Sequence, residues 1–426
     1  MNRYRKPDGR RVLFLCATWL LLWVNPGLVG SPGPVDLASA PGEPGRGAVQ
    51  KGDPSNAQGA APNPSSILAK LEGDLAEGQT EMARGALQEL LQQPALKADD
   101  LLAAGVNLAQ HDLYDEAARA FSRCVKDYPD LFEGYYNLAL AELALGKIPE
   151  AFNSIDRAPQ DTHEKEIMRS YLRGKIEAAG GRPAEAERDL LVAFRAAPQE
   201  ENYVIDMGLF YLKQQSYPKA IAVFQTGATT VPSSIFVLFG LSLAQFLGGQ
   251  PSESIRTCDK VLKLDKDFPT ARTLLAFVLC MQGRYQDAMQ AAEAGLSSGQ
   301  SFPYLYYVHA LAEIKLQSKD YDVMLRDLTF ASKNIPACSL CYLSQSKVHQ
   351  SMGRRDEATA DLEEAVRLDP SLAEAWYRLA SLYQQAGRHD DALRARAQFE
   401  KLKAEKSNKD TEIIRNAFID AMEGSH

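Results

Sequence analysis

Histidine is scarce in this chain, and basic charge never gathers into a stripe. The six histidines (His111, His163, His309, His349, His389 and His426) are scattered, and no HExxH occurs. That spacing argues against a metal hydrolase. No glycine-rich loop follows a strand, and no nucleophile-elbow serine motif appears, so phosphate-cradling and acyl-transfer signatures are also missing. The expectation is a chain that is not an enzyme and carries no metal and no cofactor. Formal net charge is −8, and setting aside the net +4 of residues 1–30 leaves −12. A nucleic-acid partner would want a basic face, so none is expected. The surplus of acid suits a chain that avoids self-association.

What the sequence does contain is repetition. Residues 339–404 write one pattern twice, 34 residues apart: a helical period ending at Gly353 or Gly387, a short polar turn, then a second amphipathic stretch around Ala358 or Ala392. Asp369-Pro370 closes the first copy, because proline has no N–H to offer and restricts the residue before it. Walking the register backwards from 373 and 339 gives starts near 305, 269, 235, 201, 167, 132, 98 and 64. Position eight is small in nine of these ten units, position twenty is alanine in eight, and position fifteen is glycine in seven. Small side chains allow two crossing helices to approach, and glycine takes a left-handed helix end without a Cβ penalty. Helix pairs that cannot bury an apolar face alone, repeated at fixed period, imply a solenoid.

With Trp376, Leu379, Ala380, Tyr383, Gly387 and Ala392 in register, the pattern resembles the tetratricopeptide repeat. The resemblance implies an all-α fold, a right-handed α-solenoid of about ten helix pairs over 64–406, with residues 407–426 as a capping helix and tail over the last repeat's open face. The units depart from the pattern at Leu71 and Leu90 in the first, at Met324 and Lys319 in the eighth, and at Arg396 and Phe399 in the last. Drift inside the eighth unit points to a local change of packing. In this family the first helices line a concave groove through positions two, five, nine, twelve and thirteen. In units two to four those positions are mixed, with Tyr136, Leu140, Tyr171 and Lys175. In units six to eight they become Phe236, Phe239, Leu243, Phe246, Leu247, Phe277, Met281, Tyr306 and His309. An apolar face of that extent marks a binding surface for a protein or peptide. The Lys/Asn clamp used on acidic chaperone tails is missing at the matching columns. The alternative is a structural scaffold working through its convex face or termini.

The amino-terminal end reads as a leader. Arg3, Arg5, Lys6, Arg10 and Arg11 precede Val12–Val24, thirteen uncharged residues broken by Asn25-Pro26-Gly27. A charged start, a short apolar core and a helix-breaking end form a secretory signal. Thirteen helical residues span only about 20 Å, short for a membrane crossing. Residues 1–30 are therefore expected to be a signal peptide or an uncleaved anchor, and residues 31–63 a disordered Pro/Gly/Ala-rich linker. Leader style and Ala/Gly/Arg usage point to an exported, periplasmic protein of bacterial type, with a eukaryotic secretory route as the alternative. Outside the leader five cysteines remain, an odd number that argues against a fully paired framework. Cys124, Cys258 and Cys280 sit in helical columns as buried thiols. Cys338 and Cys341 form a C-x-x-C pair at a helix entry, open to three readings: unpaired thiols, a local disulfide, or redox or metal work.

Overall fold

A computed structural model describes residues 63–297 and 302–404, together with residues 415, 416, 418, 419 and 422. The leader over 1–30 and all but the last residue of the linker lie outside the described residues. The described chain is an all-α repeat array, with no strand among the described residues, and it divides into two compact units, 63–198 and 199–422.

The first unit holds four helix pairs: α1 (Pro64–Ala76) with α2 (Thr80–Leu91), α3 (Ala98–Ala109) with α4 (Tyr114–Asp127), α5 (Phe132–Ala144) with α6 (Ile148–Arg157), and α7 (His163–Ala179) with α8 (Pro183–Ala196). The second holds six: α9 (Glu201–Lys213) with α10 (Tyr217–Thr230), α11 (Ile235–Leu247) with α12 (Pro251–Leu264), α13 (Pro269–Met281) with α14 (Tyr285–Leu296), α15 (Pro303–Lys315) with α16 (Tyr321–Asn334), α17 (Ser339–Ser351) with α18 (Arg355–Leu368), and α19 (Ala373–Gln385) with α20 (His389–Ala404). Within each unit a helix packs on its partner in the pair and on the helix that follows, and most odd-numbered helices also meet the next odd-numbered one.

Local sequence explains where the helices stop and start. Each of the ten intra-pair turns contains one residue with left-handed backbone. Seven are glycines (Gly78, Gly146, Gly181, Gly249, Gly283, Gly353 and Gly387), and three are Asp112, Gln215 and Gln317. Many second turns open on proline or acid, which suits a helix start that has no partner for its first N–H groups. Pro183, Pro218 and Pro251 fall in first turns, as do Asp115, Glu116 and Glu150. Asn63 and Thr162 cap α1 and α7 by accepting from Ser65 and Lys165 backbone N–H groups at 3.3 and 3.2 Å.

Packing explains the small residues at position eight. A Cβ on Gly105 would stand 2.4 Å from the Phe121 ring, and one on Gly208 would stand 2.2 Å from the Phe224 ring. Both rings are fully buried. In these pairs a bare backbone on the first helix receives a phenylalanine from the second. The odd-numbered helices are accordingly buried on more than one face. In α11 every residue from Val237 to Gln245 is buried, whereas α12 buries only Ser254, Thr257, Cys258 and Val261.

Candidate functional site

The eighth pair departs from the common register, and the departure decides which side chains face the groove. In nine pairs the second helix begins two residues after the left-handed residue; in the eighth it begins four residues after Gln317, at Tyr321. The turn is thus two residues longer, and the first helix starts at Pro303 rather than at 305. Counted from Pro303, positions two and five are Tyr304 and Tyr307. Tyr306 and His309 turn towards α16 of the same pair. The Tyr306 ring lies 4.3 Å from that of Phe330, and His309 Nδ1 is 2.7 Å from Asp327 Oδ2. His309 and Asp327 are both buried, and Arg326 donates to the other Asp327 oxygen at 3.0 Å. This pair of residues ties two helices together inside one repeat.

The remaining groove candidates lie on α11 and α13. Phe236 and Phe239 both meet the Phe268 ring edge to face, at 6.1 and 5.6 Å. Phe246 meets Phe277 in the same way at 5.6 Å. Aromatic pairs prefer such geometry because ring edges are positive and ring faces negative. Phe239, Leu243 and Phe277 are buried, Phe236, Phe246 and Leu247 are half-buried, and Met281 is 60% exposed.

The residues that bury Phe239 come from the far end of the chain. Phe418 packs on Phe239 with ring centroids 6.0 Å apart. It also forms one wall of a cleft whose other walls are Thr273 and Phe277 of α13, Phe302, and Tyr304, Tyr307 and Val308 of α15. The Met422 methyl lies 2.8 Å from where a Cβ on Gly240 would stand. Phe418, Ile419 and Met422 are 2, 4 and 2% exposed. Position five of three successive units (Phe239, Thr273 and Tyr307) therefore converges on one aromatic side chain. The contacts described for the carboxy-terminal segment are with the sixth to eighth pairs, not with the open face of the last one.

A second set of residues escaped the sequence reading. Position eleven of the first helix and the seventh residue of the second carry paired polar groups in several repeats. Thr257 donates to Gln245 at 2.8 Å, and His349 Nδ1 is 2.6 Å from Asp361. Glu142 accepts from Ser154, and Glu177 and Asp189 share Arg173 at 3.8 and 3.2 Å. Burial pushes the carboxyls of Glu142, Glu177 and Asp361 above the usual carboxylate range, and the charge of Asp189 adds to the effect at Glu177. The signal was present as polar residues recurring at two columns otherwise apolar.

Cys338 and Cys341 are joined, with sulfurs 2.02 Å apart, at the entry to α17. Cys124, Cys258 and Cys280 are free and buried, and burial pushes their thiols up to about 11, 12 and 11. Such thiols stay protonated at neutral pH and are poor nucleophiles. Among the described residues no cluster of three or more His, Cys, Asp or Glu side chains is arranged to hold a metal ion. No described helix is long and apolar enough to cross a membrane.

Comparison with known proteins agrees with this architecture. Tetratricopeptide repeat models match residues 101–162, 171–235 and 373–402, and a TPR repeat model matches 348–387. The chain is 30% identical over 80 residues to small glutamine-rich tetratricopeptide repeat-containing protein 2 of Saccharomyces cerevisiae, covering 19% of this chain and 23% of that protein. It is 24% identical over 323 residues to the DnaJ homolog subfamily C member 7 homolog of Schizosaccharomyces pombe, covering 66% of each. The chain thus spans only about a quarter of the first relative. A crystal structure of a tetratricopeptide repeat protein from Parabacteroides merdae is similar over 59% of this chain and 98% of that one, at 16% identity and a TM-score of 0.44. Matched segments in both compact units, on helix pairs of this period, identify the repeats of this chain as tetratricopeptide repeats.

Proposed function

We propose that this chain is a non-enzymatic protein-interaction module that holds an apolar peptide or partner helix against α11, α13 and α15. The observation that supports this reading is the convergence of Phe239, Thr273 and Tyr307, position five of three successive repeats, on one aromatic side chain. A face that seats Phe418 in this way has the shape and chemistry for an amphipathic helix, whose anchors recur at i, i+3, i+4 and i+7. Around it Phe236, Phe246 and Leu247 are half-buried and Met281 is open, so the apolar surface continues along α11 and α13. We also propose, from the charged start and thirteen-residue apolar core of the leader, that the chain works outside the cytoplasm.

The scaffold reading has one observation in its favour: the last pair exposes Tyr377 (61%) and Leu393 (67%), large apolar side chains suited to an end-on contact. Affinity capture from an extract of the source cells separates the two. The bait is the full chain, compared with a Phe236→Ser/Phe246→Ser/Met281→Ser variant shown to be folded by circular dichroism. A protein retained by the first and lost from the second supports groove binding. Equal capture by both moves the interaction to the end surface or the convex face.

A further inference from the structure

The groove is not empty in the folded chain. Residues 415–422 reach it from the carboxy-terminal side, after a stretch of ten residues that follows α20. We infer that this segment is the groove's ligand in cis: an amphipathic helix of pattern Phe-Ile-x-x-Met that a partner helix of the same pattern must displace. The inference rests on the groove reading above and adds to it the chemistry of the partner and a built-in competitor.

Three observations carry it. First, the contact is with the recognition columns rather than with a repeat end. Phe418 stands against Phe239, and the cleft it closes is walled by Thr273, Phe277, Tyr304 and Tyr307. Second, the segment uses helical spacing to do so. Phe418 and Met422 are four residues apart, one turn of helix, and both point to α11, with the Met422 methyl over the bare backbone of Gly240. A Cβ at Gly240 would collide with that methyl and with the Phe224 ring, so the glycine makes the seat for the methionine. Third, the footing is small. Phe418, Ile419 and Met422 are the buried apolar side chains among the described residues of the segment. Burial of three such side chains is of the same size as the entropy of ordering an eight-residue segment, so the segment is held by attachment as much as by contact. A short connection supplies an effective concentration on the order of millimolar. A segment of weak intrinsic affinity then fills the groove most of the time, and still yields to a partner that makes more of the same contacts.

Disabling the segment should therefore strengthen binding in trans by about tenfold, the factor by which a groove about nine-tenths occupied lowers apparent affinity. The test uses a fluorescent peptide of residues 407–426, titrated by anisotropy into the full chain and into a full-chain Phe418→Ser/Met422→Ser variant. The expected result is binding to the variant about tenfold tighter than to the unmodified chain, with no competition from an unlabelled peptide carrying the same two serines. Equal binding to both chains overturns the cis-ligand inference while leaving a helix-binding groove in place. No binding to a variant that circular dichroism shows to be folded overturns it as well, and the capture comparison then judges the groove separately. A second measurement needs no substitution. Amide exchange at Phe418, Ile419 and Met422 in the unmodified chain should be slowed at least tenfold relative to the free peptide, and exchange at the free-peptide rate overturns the inference.

Discussion

Gly208→Ala is the substitution that most sharply tests how these repeats are packed. Alanine is the better helix former by about 1 kcal/mol, so propensity alone makes the change stabilising. Geometry opposes it. The new Cβ would lie 2.2, 2.5 and 2.6 Å from Cζ, Cε2 and Cε1 of Phe224. Relief to ordinary contact, about 3.4 Å, requires the ring to retreat by roughly 1 Å. It has nowhere to go, because its other side lies against Gly240, where an ideal Cβ would be 2.4 Å from the same ring. The choices left are an off-rotamer ring, at about 0.5–1.5 kcal/mol, or withdrawal of α9 from α10. Overpacking of this kind costs about 1–3 kcal/mol. Net destabilisation of roughly 1 kcal/mol follows once the propensity gain is subtracted. Gly73→Ala in α1 is the control, since nothing lies within 4 Å of its Cβ and only the propensity gain of about 1 kcal/mol remains. Repeat arrays do not unfold as one unit, so the assay is native-state amide exchange of α9 and α10, supported by urea denaturation. In the double variant Gly208→Ala/Phe224→Leu the two penalties should be less than additive, because the shorter side chain makes room for the methyl. A stabilised Gly208→Ala, or strict additivity in the double variant, would refute the packing argument.

Two further outcomes follow from the same structure. Gln215→Gly should stabilise its pair by roughly 0.5–1 kcal/mol, since Gln215 holds φ +54° at a position where seven other turns use glycine; urea denaturation checks this, and a loss would mean the side chain has a role at the turn. Glu142→Gln should raise stability at pH 7 by an amount that shrinks on acidification. Glu142 Oε2 lacks a hydrogen-bond partner, and burial raises the carboxyl's pKa in the folded chain. A raised folded pKa means that the stabilising, protonated form dominates in acid and is lost as pH rises through that value. The amide carries no charge to bury, and so removes the penalty only where the carboxylate has formed. Paired melts at pH 4 and pH 7 measure the difference, and a destabilised variant at pH 7 would contradict the assignment.

How much of this could be seen in the sequence depended on whether the cause was local. Small residues at position eight and glycine at position fifteen report contacts and backbone angles within one helix pair, so they repeat every 34 residues and can be counted. The eighth pair could not be registered by counting. Its left-handed residue is Gln317, which no composition rule marks, and two extra turn residues follow it. That slip of two assigned Tyr306 and His309 to the groove in place of Tyr304 and Tyr307. The carboxy-terminal segment shows the opposite limit. Its apolar face was legible from the spacing of Ile413, Ile414, Ala417, Phe418 and Ala421. Its seat was not, because a contact between Phe418 and Phe239, about 180 residues apart, leaves no periodic trace. The polar pairs at position eleven lay within reach, since Gln245/Thr257 and His349/Asp361 repeat at fixed separation. They were passed over because each residue alone resembles a solvated one.

The most direct test of groove binding is photo-cross-linking from Met281. This side chain lies at the open end of the apolar face and is 60% exposed, so a benzoylphenylalanine replacement there disturbs little packing. The same replacement at Leu393, 67% exposed on α20, is the comparison site. In the source cells, position 281 should join a partner through a segment with apolar residues at helical spacing, and position 393 should not join it. A partner linked through 393 and never through 281 would contradict the groove and assign recognition to the end of the array.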